Sequence, residues 1–437
     1  MQHKTQIKTA KQRIATRFRV IIAVCATIFA PLVSYDLPHF YHATLIPYSV
    51  IEPILDRDEL YSAELFLATG VGTKGENSQR QTVPTFDIFG ISDAKHMVDG
   101  ISHASSNNQL DYLLIQLQAL PDTNDRFSKL SISGKVFPSQ YDLFFTKVFN
   151  HGIFIQAHIP VRSCEVMSIE TTDLSPTAKN IFPNKDNYEW YSFLRQFDEI
   201  MKRYSISLKS FDKTVLGNPT ILFGITHSYV HTTFLDFIDV TAGTGITFNA
   251  TSRSGLKQVL AAPFFDRSFT GIPLQVRAAI GAYDWLTLGI YGEATLFFDG
   301  HQKRHVTTSD KQQGMIHLAV TDVKVKKGPN VHVCGYIKAD HVVRGLSLLF
   351  GYSYVFSAKE TVHAVNKTLF PYDAINKNKQ LKSWDMHTLH YIFAYDFSLQ
   401  HSWYGPRVSI GYNQIVSGKR IIKSNMLSGE FGIEWLF

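Results

Sequence analysis

The strongest constraint on this chain is an alternation of side chains that outlasts an ordinary strand. Over 389–399, Leu389, Tyr391, Phe393, Tyr395, Phe397 and Leu399 fall on one face of an extended chain. His390, Ala394, Asp396 and Ser398 fall on the other, with Ile392 the exception. Successive strand residues point to opposite faces, so one side is apolar and aromatic and the other small or polar. Residues 346–356 repeat this, with Leu346, Leu348, Phe350, Tyr352, Tyr354 and Phe356 against Ser347, Gly351 and Ser353. In 286–298, Leu286, Leu288, Ile290, Ala294, Leu296 and Phe298 oppose Thr287, Gly289, Glu293 and Thr295; just before them, Leu274, Val276, Ala278 and Ile280 oppose Gln275, Arg277 and Gly281. Globular strands usually run about five or six residues, whereas a tilted strand crossing a bilayer needs about 9–11.

A secreted β-sandwich also alternates, but it sets charged residues opposite an aliphatic core. Here the apolar face is dense in the 32 Phe and 20 Tyr of the 437 residues, and the rings gather near strand ends, as an interfacial girdle requires. Inward Gly and Ser give the opposing backbones and bulky side chains room. The expected fold is therefore all-β: a transmembrane, antiparallel, up-and-down barrel.

The N-terminal stretch points to export. Lys+Arg number 43 and Asp+Glu 37, and the excess of six is matched by Lys4, Lys8, Lys11, Arg13, Arg17 and Arg19, which lie among residues 1–34 with no acid beside them. An apolar run of about 15 residues follows Arg19, in the manner of a signal peptide; it is short of the roughly 20 residues a membrane helix needs. Residues 1–34 are thus expected to be a signal peptide, 35–59 a periplasmic N-terminal segment and 60–437 the barrel. With the leader set aside the chain is neutral, which removes the electrostatic support for nucleic acid as a partner. Cys164 and Cys334 are the cysteines beyond the leader, with neither a CxxC nor a zinc spacing.

Residues 430–437 read Glu-Phe-Gly-Ile-Glu-Trp-Leu-Phe, with Phe431, Ile433, Trp435 and Phe437 on one face. Glu430, Gly432, Trp435 and Phe437 fill the places of a polar residue, a glycine and two terminal aromatics. This resembles the assembly signal of bacterial outer-membrane β-barrel proteins of the porin and solute-channel class. The resemblance implies an outer-membrane location, contact with outer-membrane lipid, and recognition of the last strand by the barrel-insertion machinery.

Counting alternating runs gives about 14 crossings, within a range of 12–16: 60–70, 110–118, 128–137, 140–149, 151–161, 218–230, 237–250, 272–283, 285–298, 329–340, 345–357, 386–400, 405–417 and 425–437. Bacterial barrels have an even strand number, short inner turns and long outer loops. Fourteen strands satisfy this if the β-like run 315–325 belongs to an outer loop. Fourteen-stranded barrels are also similar to long-chain fatty-acid transporters, an analogy of strand count alone. The loop 162–217 carries Trp190, Phe193, Leu194, Phe197, Ile200, Met201 and Tyr204 at helical spacing, which predicts a short helix. Such a helix packs on a loop or lids the barrel mouth, and 71–109 either covers the surface or enters the lumen.

No enzyme is expected. His103 and Ser105 match the spacing of a barrel lipid hydrolase, the most remote alternative, but Ser106 stands where that family has asparagine. The pairs His387/His390 and His301/His305 read as girdle and loop residues, no Gly-rich phosphate loop opens a helix, and no cofactor is called for. The expected function is a passive pore for small solutes, with Gln275, Arg277, Glu293, Thr295, Lys338 and Asp396 facing the lumen. Their mixed signs suit a general polar pore rather than a strongly ion-selective one. A non-conducting surface barrel, adhesive or structural, is the alternative.

Overall fold

The computed structural model describes residues 51–54, 59–97, 128–175, 185–230, 235–250, 260, 269–283, 285–397 and 404–436. Twelve strands form the wall: β1 (Leu60–Glu76), β2 (Lys129–Val148), β3 (Ile153–Asp173), β4 (Thr220–Val230), β5 (Phe237–Thr247), β6 (Gly271–Ala282), β7 (Leu286–Phe297), β8 (Asn330–Val343), β9 (Leu346–Ser357), β10 (Trp384–Asp396), β11 (Tyr404–Lys419) and β12 (Ile421–Leu436). Each pairs antiparallel with its neighbours in chain order, and β1 pairs with β12, Leu60 opposite Leu436, to close the ring. A closed meander of this kind leaves no open edge, which is what permits a sheet to stand in hydrocarbon.

The strand number lies at the low end of the expected range, for an identifiable reason. Residues 128–137 and 140–149, read as two crossings joined at Pro138-Ser139, are one continuous strand, β2. Pro138 has no N–H to give a ladder, and the β1–β2 ladder steps from the Thr69–Ser139 pair to Gly72–Val136 across it, while β3 continues past it with Cys164. The run 110–118, the stretch 1–34 expected to be a signal peptide and the His103/Ser105 pair lie outside the described residues.

Connections alternate in length as far as β11, and the last, Arg420 between β11 and β12, is a one-residue turn on the side of the long ones. The ones at 149–152, 231–236, 283–285, 344–345 and 397–403 are short; those at 77–128, 174–219, 248–270, 298–329 and 358–383 are long. By the asymmetry of bacterial barrels the short set faces the periplasm. The run 315–325 does fall in a long outer connection. Its strand Val320–Lys326 pairs with Gly300–His305 and Thr361–Ala364 in a separate three-stranded sheet.

Burial is inverted relative to a soluble protein. Ile225, Val276, Ile290, Ile410, Leu427 and Phe431 are exposed, whereas Gln140, Asp142, Arg162, Arg277, His390 and Asn413 are buried. Only a wall with lipid outside and packed polar groups inside gives that sense to the alternation. On the inner surface, aromatic rings lie over cross-strand glycines: Phe154 over Gly224, Phe237 over Gly281 and Tyr336 over Gly289, a device that pins register. A Cβ at Gly289 would stand 2.1 Å from the Tyr336 ring. Gly289→Val is therefore expected to destabilise the barrel by roughly 1–3 kcal/mol through overpacking, lowering the temperature at which the folded band is lost in a heat-modifiability gel.

The outer half is filled. Helix α1 (Lys185–Arg203) buries Trp190, Phe193, Phe197, Ile200 and Met201, and is tied to the top of β3 by Trp190 Nε1–H donating to Asp173 Oδ2 at 3.0 Å. These side chains share one core with Phe86, Ile88 and Phe89, with Met315, Ile316 and Leu318, and with inward residues of β1, β2, β3, β9, β10, β11 and β12 such as Phe66, Ile132, Val166, Val355, Met386, Ile415 and Met426. Segments from several outer loops thus form an apolar lid packed against seven strands.

Candidate functional site

Below the lid lies a polar chamber of about 560 Å³ to which all twelve strands contribute, from Ser62 and Glu64 on β1 to Glu434 on β12. It is the periplasmic half of the lumen. Strand parity sets its lining. Every second residue faces inward, so the polar positions of the alternating runs converge here.

A strap formed by residues 51–54 enters this chamber ahead of β1. Ile51 is fully buried with Phe144, Tyr291, Cys334, Tyr336, Leu349, Ile392 and Ala394, an apolar plug near mid-barrel. The Ile54 N–H donates to Thr241 Oγ1 at 3.1 Å, and Thr226 Oγ1–H donates to the Ile54 carbonyl at 2.5 Å. Arg277 Nη1–H donates to the Glu52 carbonyl at 3.1 Å. The Glu52 carboxylate accepts from Lys338 Nζ and lies 3.8 Å from Arg407 Nη1. Backbone and side chain of the strap are thereby satisfied by β4, β5, β6, β8 and β11, as buried polar groups require.

The six residues assigned to the lumen from sequence occupy two places. Gln275, Arg277, Glu293 and Thr295 form a hydrogen-bonded run on β6 and β7. Arg277 donates to Gln275 Oε1 at 2.7 Å, Gln275 Nε2 donates to Tyr291 Oη at 3.0 Å, and the Tyr291 and Thr295 hydroxyls donate to Glu293 at 2.5 and 3.2 Å. Lys338 and Asp396 line the chamber itself. Sequence reading missed Glu64, Asp239, Asp340, Arg407 and Glu434, which also line it; strand parity was the available signal for them. Glu52 carried none, because it precedes the first strand.

Between chamber and lid, Asp142 and Arg162 face each other across β2 and β3. Arg162 Nη1 and Nη2 donate to the two carboxylate oxygens, both side chains are 2% exposed, and His158 Nε2 lies 3.5 Å from Asp142 Oδ1. His390 bonds Asn413 and Ser353, each at 2.7 Å, and His387 meets Tyr352 at 2.5 Å and Arg80 at 3.4 Å. Among the described residues no group of His, Cys, Asp and Glu has the geometry of a metal site. Of the assembly-signal positions, Trp435 stacks on Tyr61 at the closing seam with centroids 5.8 Å apart, Glu430 is buried 3.7 Å from Arg407, and Gly432 pairs with Glu64; Phe437 lies outside the described residues.

Two titrating groups with shifted pKa values sit in the lid, outside the membrane-spanning strands: Asp87 and His317. Burial pushes the Asp87 carboxyl up to about 6, against the Ser131 hydroxyl and Ile132 N–H that donate to it at 2.5 and 3.0 Å. An acid whose folded pKa is raised binds more protons in the packed state. Its stabilising contribution is therefore full below pH 3.8 and lost as pH rises through about 6. Buried His317, depressed from 6.5 to about 3, destabilises the lid in the same window as pH falls, so the Asp87 contribution is read as a difference. Between pH 7 and pH 5 the unaltered protein is expected to gain resistance to limited proteolysis of the outer loops relative to Asp87→Asn, and equal pH profiles would remove Asp87 from the account of the lid.

Comparison with known proteins bears on the fold. An outer-membrane channel from Pseudomonas putida F1 superimposes with a TM-score of 0.50 at 8% identity, over 90% of this chain and 100% of that one. A Pseudomonas aeruginosa FadL homologue gives 0.31 at 9% identity over 87% and 91%, and the NanC porin 0.28 at 10% over 69% and 94%. No protein-family model matches, and no curated protein matches. Closed wall, inverted burial and the likeness to the Pseudomonas putida channel define the class by its fold: the chain is a closed transmembrane-type β-barrel with the fold of an outer-membrane channel.

Proposed function

We propose that the chain is a passive channel for small solutes across the outer membrane, and that the strap and the lid hold it closed in the state described. The observation that carries this reading is the polar chamber lined by all twelve strands. A barrel built only as a surface scaffold has no use for a solvent-sized polar lumen beneath its outer loops. Closure by a strap and by folded-in loops, rather than by the wall's own side chains, leaves two elements whose displacement would open a path. Discrete current steps after reconstitution into a planar bilayer are the expected result. A folded, heat-modifiable barrel that stays silent even with residues 51–54 deleted would overturn the reading in favour of a non-conducting surface protein.

The addressing of the protein belongs to the same proposal. Residues 1–34 serve as the export signal, 35–59 as a periplasmic lead-in whose last part reaches the lumen, and Glu430, Gly432, Trp435 and Phe437 as the signal read by the insertion machinery. The placement of Trp435 at the β1–β12 seam supports this, because the last strand must be held in register for the ring to close. Deleting Phe437 should lower the fraction of heat-modifiable barrel in outer-membrane fractions; an undiminished fraction would remove the C-terminal signal from the account.

A further inference from the structure

The outer rim of the wall carries a cluster of charge on its lipid-facing side, apart from the lumen. The segments 74–80, 383–388 and 416–424 form the outer ends of β1, β10, β11 and β12 and the turns beside them. They hold five bases, Lys74, Arg80, Lys419, Arg420 and Lys423, against two acids, Glu76 and Asp385. The acids lie beneath the bases. Asp385 and Glu76 are 6% and 5% exposed, whereas the Arg80, Lys419 and Lys423 side chains are 44%, 45% and 30% exposed. Asp385 is shared by Arg80 at 3.2 Å and Lys419 at 3.6 Å, and Glu76 holds Lys423 at 2.7 Å while its other oxygen accepts from the Gly418 N–H. Lys74 is exposed and stands directly opposite Lys423 in the β1–β12 ladder; among the described residues no acid pairs with it. Like charges facing each other across a ladder are destabilising, so this corner of the seam lacks an anion.

Strand parity sets the cluster outside the barrel. Lys423 shares its face of β12 with Leu427 and Phe431, and Asp385 and His387 share theirs on β10 with Tyr391 and Phe393, all exposed apolar or aromatic positions of the wall. Lys423 lies four residues beyond Leu427, about 13 Å along the strand, so the bases begin where the apolar band ends. Tyr352 bonds His387 and the Tyr354 ring packs on it at 4.9 Å, marking the level at which an interfacial girdle sits. We propose that Lys74, Arg80, Lys419 and Lys423 bind the phosphate of a lipid in the outer leaflet, whose chains lie on the apolar wall below. The headgroup supplies the missing counter-charge at that depth, with ammonium groups acting on it as point charges and a guanidinium as a two-pronged donor. Exposed Val71, Val416 and Leu427 offer a surface for the chains, which a free anion does not use. Bound across β1 and β12, such a lipid ties the seam at which the ring closes. The proposal goes beyond the channel reading and holds whether or not the lumen conducts.

Dioctanoyl phosphatidic acid is titrated at low salt into the full chain in a neutral detergent, and the complex is followed by native mass spectrometry. A one-to-one complex is expected. Neither dioctanoylglycerol, which has the chains without the phosphate, nor inorganic phosphate, which has no chains, should displace it at equal concentration. Lys74→Gln/Lys419→Gln removes two exposed charges and leaves the Arg80–Asp385 and Lys423–Glu76 pairs in place. It should weaken the complex roughly twentyfold, at about fivefold per cation, and Lys74→Arg/Lys419→Arg should retain the affinity. Equal affinity in the glutamine variant would overturn the proposal. So would displacement by inorganic phosphate, which leaves an anion site and no lipid, or by dioctanoylglycerol, which leaves an apolar contact alone. Should the double variant fail to give a heat-modifiable barrel, Lys74→Gln, whose side chain pairs with no other described residue, carries the same comparison with about a fivefold loss.

Discussion

Asp142→Ala is expected to cost the barrel about 3–5 kcal/mol, the range found when one member of a buried ion pair is removed. Arg162 would be left charged, 2% exposed and facing the inside of a wall where water has little access. Its other nearby acceptor is its neighbour's carbonyl, that of Val161 at 3.2 Å, and Gln140 and His158, which now gather around Asp142, cannot supply a negative charge. The double variant Asp142→Ala/Arg162→Met should recover much of the loss, since replacing both partners by apolar groups leaves no charge without a counter-ion. Denaturant unfolding of the barrel in detergent, followed by the gel shift, measures both. A loss under about 1 kcal/mol for the single variant, the range of an exposed pair, would mean that the site is wetter than its burial indicates.

Freeing the strap is the second large effect. Glu52→Gln removes the charge from a contact with Lys338 and a 3.8 Å ion pair with Arg407. Charge-assisted hydrogen bonds contribute roughly 1.5–3 kcal/mol, so the equilibrium between seated and withdrawn strap should shift roughly ten- to a hundredfold toward withdrawal. Two natural thiols report on it. Cys334 is buried in the same cluster as Ile51, and Cys164 in the lid core. The rate of Cys334 alkylation by a small reagent should rise by the factor of the shift, while Cys164 stays unreactive. Equal acceleration at both would indicate general loosening of the barrel instead of movement of the strap.

Much of the wall was legible because strand period and membrane thickness act on every residue of a crossing. The runs at 272–283, 285–298, 345–357 and 386–400 match β6, β7, β9 and β10 closely, since each alternates with few exceptions, such as Ile392. The helix 185–203 was legible from its Trp190–Met201 spacing. Whether it lids the mouth was not, because the core it joins draws residues from seven strands, most of them distant in sequence. The continuity of β2 was hidden by Pro138, whose effect depends on whether a neighbour needs the missing N–H, and that is a property of the assembled sheet. The chamber was half legible. Parity places Lys338 and Asp396 inside, and the same rule, carried to the strand ends, would have placed Asp239, Asp340 and Glu434 there. Glu52 belongs to no periodic run, and its partners on β6, β8 and β11 lie more than 200 residues away, so only the folded chain could reveal it.

The lumen, on the reading proposed above, is a pore closed by the strap and the lid. Single-channel recording compares the full chain with a variant lacking residues 51–54 in the same planar bilayer. Discrete steps are expected from both, with longer or larger openings from the shortened chain. Silence from two preparations that each show the heat-dependent gel shift of a folded barrel would contradict it.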